Sequence, residues 1–392
     1  MNRRMMMTLC KKVYLLIFCL FVLTGCWDRV EVNDLAFVTA TGIDKIEENK
    51  FRAAVQVPLP GNMGGAGSSG GGGGSGGESP FYVDSGVGRN IRESNDDLQQ
   101  RMSRKLYFSH RRVIIFGADM AKAGFKKSLE VIIEQPQSRL SAYVLIAKGK
   151  AIEVLNATPH FEPFSSETIR EMAKSSFGIT VKDVLNDVEK PGKDPVIPIV
   201  ETAKTQNGDG EDKNDEVMVN GAAILKDDKL KFFANDEEAL GAFWLLEESP
   251  EKNYTFSVGD NKEINVSIDE KNLRHTYSVL GGVPSFSLTL DVEAAVMQNE
   301  ADIDMDNLDS YELAIDSMEK KIKKEIDALL DHSTSEGIDV YGFGWHLYRH
   351  DNRQWEEKWA DNWSSTLKKM EIDVQVNATI QETTNPGITI KE

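Results

Sequence analysis

Apolar and polar positions along the first half of the chain predict strands with a helical crossover between two of them. Two apolar, β-branched runs, 35–44 and 51–59, flank a short polar turn and predict a β-hairpin. Residues 111–117 and 142–147 form two further apolar runs, and the helical segment 118–134 lies between them. Strand, helix and strand at this spacing predict a crossover unit with a parallel strand pair.

The second half of the chain shows clearer periods. The runs 217–225 and 230–234 predict a second hairpin. In 285–296 and 372–380, apolar residues occupy every other position, as in strands that bury one face. Between them, 308–330 repeats apolar residues every three or four positions and predicts a long amphipathic helix. The period of 285–296 favours an antiparallel sheet.

Composition divides this pattern into regions. Residues 61–77 contain 11 glycines and predict a Gly-rich loop, because such a segment cannot bury enough surface to offset its ordering entropy. Residues 201–216 are polar and acidic and predict a linker. We therefore expect an N-terminal α/β domain over 26–200 and a C-terminal α+β region over 217–385, with a further division near residue 270 left open. The predicted fold class is α+β, with two to three domains of mixed or antiparallel sheets and flanking helices.

The amino terminus has the features of a lipoprotein export signal. Basic residues precede an apolar run at 13–23 that is too short to span a bilayer comfortably. The run ends in a Leu-Thr-Gly-Cys box at 23–26, which predicts a signal peptide over 1–25 and a diacylglyceryl anchor on Cys26. An ordinary signal-anchor with an incidental cysteine is the alternative. Two acyl chains should hold the protein on a membrane without a basic patch.

Cysteine and charge content exclude several classes of function. All three cysteines, Cys10, Cys19 and Cys26, lie in the first 26 residues, which excludes a disulfide framework, a cysteine-ligated zinc site and a thiol nucleophile from the body. The net charge of −18 argues against a nucleic-acid partner, because binding to phosphates needs clustered positive charge. Since the signal carries four cations and no acid, the mature charge is −22. Such a body should be pushed outward from an anionic leaflet.

No catalytic site can be recognised in the sequence. Among the six histidines, only His346 and His350 are four positions apart, which would place both on one face of a helix. A third metal ligand is not evident, and a solvated or packed pair is the simpler interpretation. Outside the Gly-rich segment 61–77, the sequence has no nucleophile elbow, no Walker loop and no dinucleotide fingerprint. Carboxylates are too abundant for an acid and base pair to be named.

Tryptophans cluster near the carboxyl end. Trp345, Trp355, Trp359 and Trp363 are four of the six tryptophans and fall within 19 residues. The last three are spaced by four, which predicts a stripe along one helix face. Stripes of this kind are usually core, but a partly exposed one would form a protein contact surface. The four tryptophans are therefore the candidate partner surface.

Four blocks of the sequence carry a resemblance to a known family. They are WDRVEVNDLA at 27–36 after the lipoprotein box, KLYFSH at 105–110, GAAIL at 221–225 followed by NDEEALG at 235–241, and GIDVYGFG at 337–344 leading to Trp363. In this order they resemble the GerAC-type (Ger(x)C) lipoproteins, the C subunits of bacterial spore germinant receptors. The long glycine-rich segment and the Gln-Pro-Gln at 135–137 depart from the family pattern.

The resemblance implies both a fold and a function. It implies a three-domain α+β protein that is not an enzyme, needs no cofactor or metal, and is lipid-anchored at the outer face of the spore inner membrane. Its partners would be the integral-membrane A and B subunits of the same receptor, which together detect nutrients and start germination. The alternative is an extracytoplasmic solute-binding lipoprotein that captures a small ligand itself. A cell-wall enzyme is a more distant third hypothesis.

Overall fold

The computed structural model describes residues 6–7, 11–15, 30–62, 79–135, 137–205, 215–234, 236–246, 252–259, 262–301 and 303–382. Most of the predicted signal peptide, Cys26 and most of the predicted Gly-rich loop lie outside these residues. Within the described ranges, no helix is long and apolar enough to cross a membrane.

The described strands and helices run in the following order along the chain. The strands are β1 (Leu35–Phe37), β2 (Ala40–Glu47), β3 (Lys50–Pro58), β4 (Phe81–Gly88), β5 (Lys105–Tyr107), β6 (Val113–Phe116), β7 (Tyr143–Ala147), β8 (Val196–Lys204), β9 (Asp215–Lys226), β10 (Lys229–Ala234), β11 (Lys252–Val258), β12 (Lys262–Leu280), β13 (Val283–Asn299) and β14 (Glu371–Glu382). The helices are α1 (Ile91–Gln99), α2 (Ala118–Ala123), α3 (Lys126–Ile133), α4 (Ala151–Leu155), α5 (Ser165–Lys174), α6 (Val181–Glu189), α7 (Glu237–Leu245), α8 (Leu308–Ser335), α9 (Phe343–His350) and α10 (Trp363–Leu367).

An eight-stranded sheet forms the first part of the molecule, in the order β10-β9-β8-β7-β6-β2-β3-β4. The predicted hairpin is confirmed as β2 and β3, which pair antiparallel. The first residues of the predicted strand form β1 instead, which pairs with β5 in a separate two-stranded sheet. The crossover unit is also confirmed, because β6 and β7 are parallel. Its helical segment is two helices, broken at Gly124, whose φ of +103° no helix can contain.

The predicted linker at 201–216 differs from the structure at both of its ends. Residues 201–204 are the end of β8, 215–216 are the start of β9, and these two strands pair antiparallel, with Lys204 opposite Asp215. The first sheet therefore continues beyond residue 200 and includes β9 and β10. A polar segment between two apolar regions has the same composition whether it joins two domains or two paired strands. Composition alone therefore could not distinguish a linker from a strand connection here. Residues 206–214 lie outside the described ranges.

A second sheet has the order β11-β12-β13-β14. The first three strands are antiparallel, whereas β14 is parallel to β13 and follows it by way of α8, so the sheet is mixed. The division left open near residue 270 is wrong, because β12 runs unbroken from Lys262 to Leu280 and pairs with β13 along this length. A register shift between Ile268 and Glu270 marks the place where the apolar pattern was interrupted.

The largest apolar core joins the two sheets. Met318, Ile322 and Ile326 of α8 are fully buried and pack with the inward side chains of the second sheet. Burying such a side chain stabilises the fold by roughly 1.5–3 kcal/mol. Ala222 and Ile224 of β9 belong to the same apolar cluster. The α+β fold class with mixed sheets and flanking helices is thus confirmed, and β9 connects its two parts through a shared core.

Candidate functional site

Three of the four candidate tryptophans are buried. The side chains of Trp355, Trp359 and Trp363 retain only 4%, 1% and 6% of their exposure, so the hypothesis that they form a partner surface is wrong. Trp359 donates its indole N–H to the carbonyl of Gly282, 2.9 Å away, at the turn between β12 and β13. The three tryptophans lie on the side of their segment that packs into the core. Trp345 is half-buried and is the member that reaches the surface.

The buried carboxylate of Asp339 holds the loop that leads into α9. Its oxygens accept hydrogen bonds from the backbone N–H groups of Gly342 (2.7 Å), Phe343 (3.0 Å) and Gly344 (2.9 Å). The indole N–H of Trp363 donates a fourth, 3.1 Å long. Burial raises the pKa of Asp339 to about 6, against the lowering effect of the three backbone N–H groups. This side chain fixes the amino end of α9 and ties α10 to it.

Asp194 connects the Asp339 loop to the first sheet. The backbone N–H of Asp194 donates to the carbonyl of Asp339, and the N–H of Asp339 donates back to the Asp194 carboxylate, each at 2.8 Å. That carboxylate also accepts from the ammonium of Lys226 and the backbone N–H of Asp227, both at 2.9 Å. Gly192 and Gly344 approach so closely that a Cβ on Gly192 would lie 2.5 Å from the Cα of Gly344. These contacts fix the position of the Asp339 loop relative to the segment that leads into the first sheet.

A cleft of about 540 Å³ opens beside this junction. Its walls are α6 and the segment after it on one side, and β12, the Asp339 loop and α9 on the other. Lys190 and Lys193 approach the same oxygen of Asp187, at 3.0 and 3.2 Å. The ammonium of Lys190 and the guanidinium of Arg349 lie 6.0 and 5.9 Å from the ring of Trp345, at cation–π distance. Trp345, the half-buried member of the candidate tryptophan set, therefore lines a polar cleft.

Three imidazole rings meet in this cleft. His275 Nε2 and His346 Nδ1 are 2.6 Å apart, and His275 Nδ1 is 2.6 Å from the hydroxyl of Tyr341. His350 stacks on His346 with ring centroids 4.0 Å apart, and its Nδ1 bonds to the carbonyl of His346 at 2.9 Å. Burial, together with repulsion from His275, His350 and Arg349, lowers the pKa of His346 to about 4. His346 is therefore neutral at pH 7.

The lining of the cleft offers binding chemistry. Its described residues supply hydrogen bonds, paired charges and ring faces, and include no serine, threonine or cysteine. Among the described residues, no group of three His, Cys, Asp or Glu side chains is arranged to hold a metal ion. The spacing of His346 and His350 on one helix face is confirmed by α9. Sequence reasoning missed His275, which β12 brings to them, and it missed Asp339, for which an aspartate ahead of Gly342 and Gly344 was the only signal.

The predicted anchor lies outside the described residues. Cys26 is four positions before Val30, whose side chain is 58% exposed. The path from there is defined, because Val32–Asp34 form a 3-10 turn and Leu35 enters β1.

Comparisons with known proteins point to one group of proteins. The chain matches the family described as "Spore germination protein N-terminal domain" over residues 28–202 and the family described as "Spore germination B3/ GerAC like, C-terminal" over residues 220–384. It is 31% identical over 378 residues to the putative spore germination protein YfkR of Bacillus subtilis strain 168, covering 96% of this chain and 97% of that protein. It is 26% identical over 399 residues to spore germination protein KC of the same organism, covering 95% and 96%.

A solved structure shares the fold. The crystal structure of the GerBC protein superimposes with a TM-score of 0.56 at 15% sequence identity, covering 87% of this chain and 96% of that one. At this level of identity the likeness shows a common architecture. This shared architecture agrees with the two family matches, which together extend from residue 28 to residue 384.

Proposed function

Because the chain belongs to the GerAC-type family of spore germination proteins and has a role in germination, we propose that it is the lipid-anchored C subunit of a nutrient germinant receptor. The observation that carries this proposal is the match of both family regions, in order, along a chain that opens with a lipoprotein box ending at Cys26. The subunit works on the outer face of the spore inner membrane, beside integral-membrane A and B subunits.

In this role the protein contributes binding surfaces and no catalysis. The cleft beside α9 offers hydrogen-bonding groups for such a surface, since His275 bonds to both His346 and Tyr341. The Asp194–Asp339 junction supports it further, because it holds two parts of the molecule in one arrangement, as a subunit that presents a fixed surface to partners requires.

The cleft also favours the second candidate, a solute-binding lipoprotein. A concave polar cavity of about 540 Å³ has the size of sites that hold small molecules. The two candidates differ in a simple property, since a solute-binding protein takes up an amino acid or sugar without partner subunits. The cleft alone does not outweigh the family match, so we keep the receptor subunit as the proposed function.

The anchor can be tested with the Cys26→Ala variant. Without the thiol, no diacylglyceryl group can be attached, and the acidic body has no other strong hold on the bilayer. We expect the variant to appear in the soluble fraction of disrupted spores and the germination response to nutrients to be impaired. Cys19→Ala, which changes a cysteine of the predicted signal peptide, is the matched control and should leave both unchanged. Full germination with a soluble, non-lipidated protein would refute the anchoring.

A further inference from the structure

One stretch of this acidic protein carries only positive charges. Residues 98–118 contain no aspartate or glutamate, although the chain as a whole has a net charge of −18. The cations of this stretch are Arg101, Arg104, Lys105, Arg111 and Arg112. Such a local excess against the overall charge has a physical consequence only where the cations are exposed and unneutralised.

The structure separates these cations into two groups. Arg111 is buried and donates to the hydroxyl of Ser138, 2.7 Å away, so it belongs to the core. Arg101 is ion-paired with Asp97 at 3.1 Å, and Arg112 lies 3.9 Å from Glu167.

Arg104 and Lys105 form the second group. Both side chains are exposed, and no described acidic residue forms an ion pair with either of them. They are therefore the two cations of the stretch whose charge is available to a partner.

The fold places these two cations beside the amino-terminal segment. Lys105 is the register partner of Leu35 in the small parallel sheet of β1 and β5. Cys26 is nine positions before Leu35, and an extended chain spans at most about 3.5 Å per residue, so the anchor lies within about 30 Å. The 3-10 turn at Val32–Asp34 shortens this reach. An anchor at Cys26 therefore keeps this end of the molecule within about 30 Å of the bilayer.

Apolar and aromatic side chains are exposed at the same end. Val30 and Val32 are 58% and 71% exposed in the segment that leads from the anchor. Tyr82, 41% exposed, and Arg104 line a cavity of about 340 Å³ whose floor includes Val57. Cations beside exposed apolar and tyrosine side chains are the combination that binds the headgroup region of an anionic membrane.

The acids of the same segment are held by its own turn. The carboxylate of Asp34 accepts from the backbone N–H of Glu31 at 3.2 Å, and the two residues form a reciprocal capping box around Val32–Asp34. Both acids are nevertheless exposed, and with Asp28 and Arg29 they give residues 27–34 a net charge of −2, so the proposed contact depends on the position of Arg104 and Lys105 and not on a net positive charge of this end.

We propose that Arg104 and Lys105 form a second membrane contact that binds anionic phospholipid headgroups beside the Cys26 anchor. This inference rests on the proposed function, because the anchor defines which end faces the bilayer. The contact would orient the molecule, with Arg104 and Lys105 toward the lipid and the acidic remainder away from it. A lipid anchor alone leaves the body free to rotate, so a second contact adds orientation as well as affinity.

The contact can be measured without the anchor. The full mature chain with Cys26→Ala is floated with vesicles that are half phosphatidylglycerol and half phosphatidylcholine, and with vesicles of phosphatidylcholine alone. We expect binding to the anionic vesicles only, falling as salt is raised. Adding Arg104→Glu and Lys105→Glu should weaken the partition coefficient by about tenfold or more, because each cation near such a surface contributes about a fivefold factor.

A matched control tests the position of the charges. Lys126→Glu and Lys127→Glu make the same change of net charge at exposed positions in the first turn of α3, which is held to Asp228 next to the edge strand β10. This control should bind anionic vesicles as the parent does, and thermal unfolding should show that both double variants are folded. Equal binding by both variants, or no binding by the parent, overturns the proposal.

Three further outcomes separate this proposal from the anchoring and from a protein partner. If the lipidated chain fractionates with membranes but Arg104→Glu with Lys105→Glu leaves vesicle binding unchanged, the headgroup contact is refuted and the anchor stands. If that variant loses its partner subunits while binding vesicles normally, the surface meets an acidic protein and the lipid proposal is wrong. If Cys26→Ala stays on spore membranes and depends on Arg104 and Lys105, the contact is supported and the anchor is not required.

Discussion

His346 shows how much of this protein's pH response depends on one crowded ring. It is bonded to His275 and stacked on His350, so a proton on any of the three repels a proton on the others. The pKa of His346 is about 4 in the folded protein, below its ordinary value of 6.5. The unfolded chain therefore binds more protons than the folded one between these values, and the free energy of unfolding falls as the pH is lowered through this window.

We predict that His346→Gln reduces this loss of stability in acid. The variant lacks the ring that must be kept neutral, so its free energy of unfolding should fall less than that of the wild type between pH 7 and pH 5, as measured by urea unfolding at each pH. Asp339, whose pKa is raised to about 6, acts in the opposite sense in both proteins and cancels in the comparison. His110→Gln, outside the cleft, is the control. Identical acid sensitivity of the wild type and His346→Gln would refute the assignment.

Single residues were the least predictable level of the structure. The spacing of His346 and His350 gave their common helix face, but His275 is 71 positions from His346 and only the pairing of β12 brings it there. Asp339 and Asp194 are 145 positions apart, and no local pattern marks either as buried. The spacing of Trp355, Trp359 and Trp363 predicted one helix face, but the segment is a π-helical turn, a 3-10 turn and a separate α-helix, and all three side chains are buried.

At the level of elements, the junction between the segment after α6 and α9 depends on the absence of two side chains. Gly192 has a φ of +68°, and a Cβ there would lie 2.5 Å from the Cα of Gly344 and 2.8 Å from the ring of Trp355. Gly178 has nearly the same φ, +65°, but no atom lies within 4 Å of its added Cβ. A comparison of Gly192 with Gly178 therefore separates the cost of a left-handed backbone from the cost of a steric clash.

We predict that Gly192→Ala destabilises the protein by about 3 kcal/mol or more, because it combines a left-handed backbone with overpacking of the junction. Gly178→Ala should cost only about 1 kcal/mol, from the backbone alone. Urea unfolding of both variants measures the difference in the free energy of unfolding. Equal losses would show that α9 and the Gly192 segment move apart at little cost, and would contradict a fixed junction.

Elements with a strong period were predictable, and their partners were less so. The helix expected over 308–330 is α8, Leu308–Ser335, and the strand expected over 372–380 is β14, Glu371–Glu382. The sequence predicted the strand at 372–380 without its pairing direction; α8 returns the chain across the sheet, so β14 pairs parallel to β13. Strand direction depends on the path of the connection, which the alternation of side chains does not encode.

At the scale of the whole molecule, charge and connectivity are distributed in ways that overall composition hides. The net charge is strongly negative, yet the pairing of β1 with β5 brings exposed cations beside the segment that would carry the lipid. The expected separation into two domains is likewise modified by β9, which pairs in the first sheet and packs into the core of the second. The amino-terminal signal, by contrast, stays a prediction from a linear motif, and most of it lies outside the described residues.

The measurement that tests the receptor-subunit proposal most directly is purification of this chain from spore membranes after chemical cross-linking of intact spores. We predict that the chain is recovered together with integral-membrane A and B subunits and is cross-linked to them through its surface residues. Recovery of the chain wholly outside any complex with those subunits would contradict it.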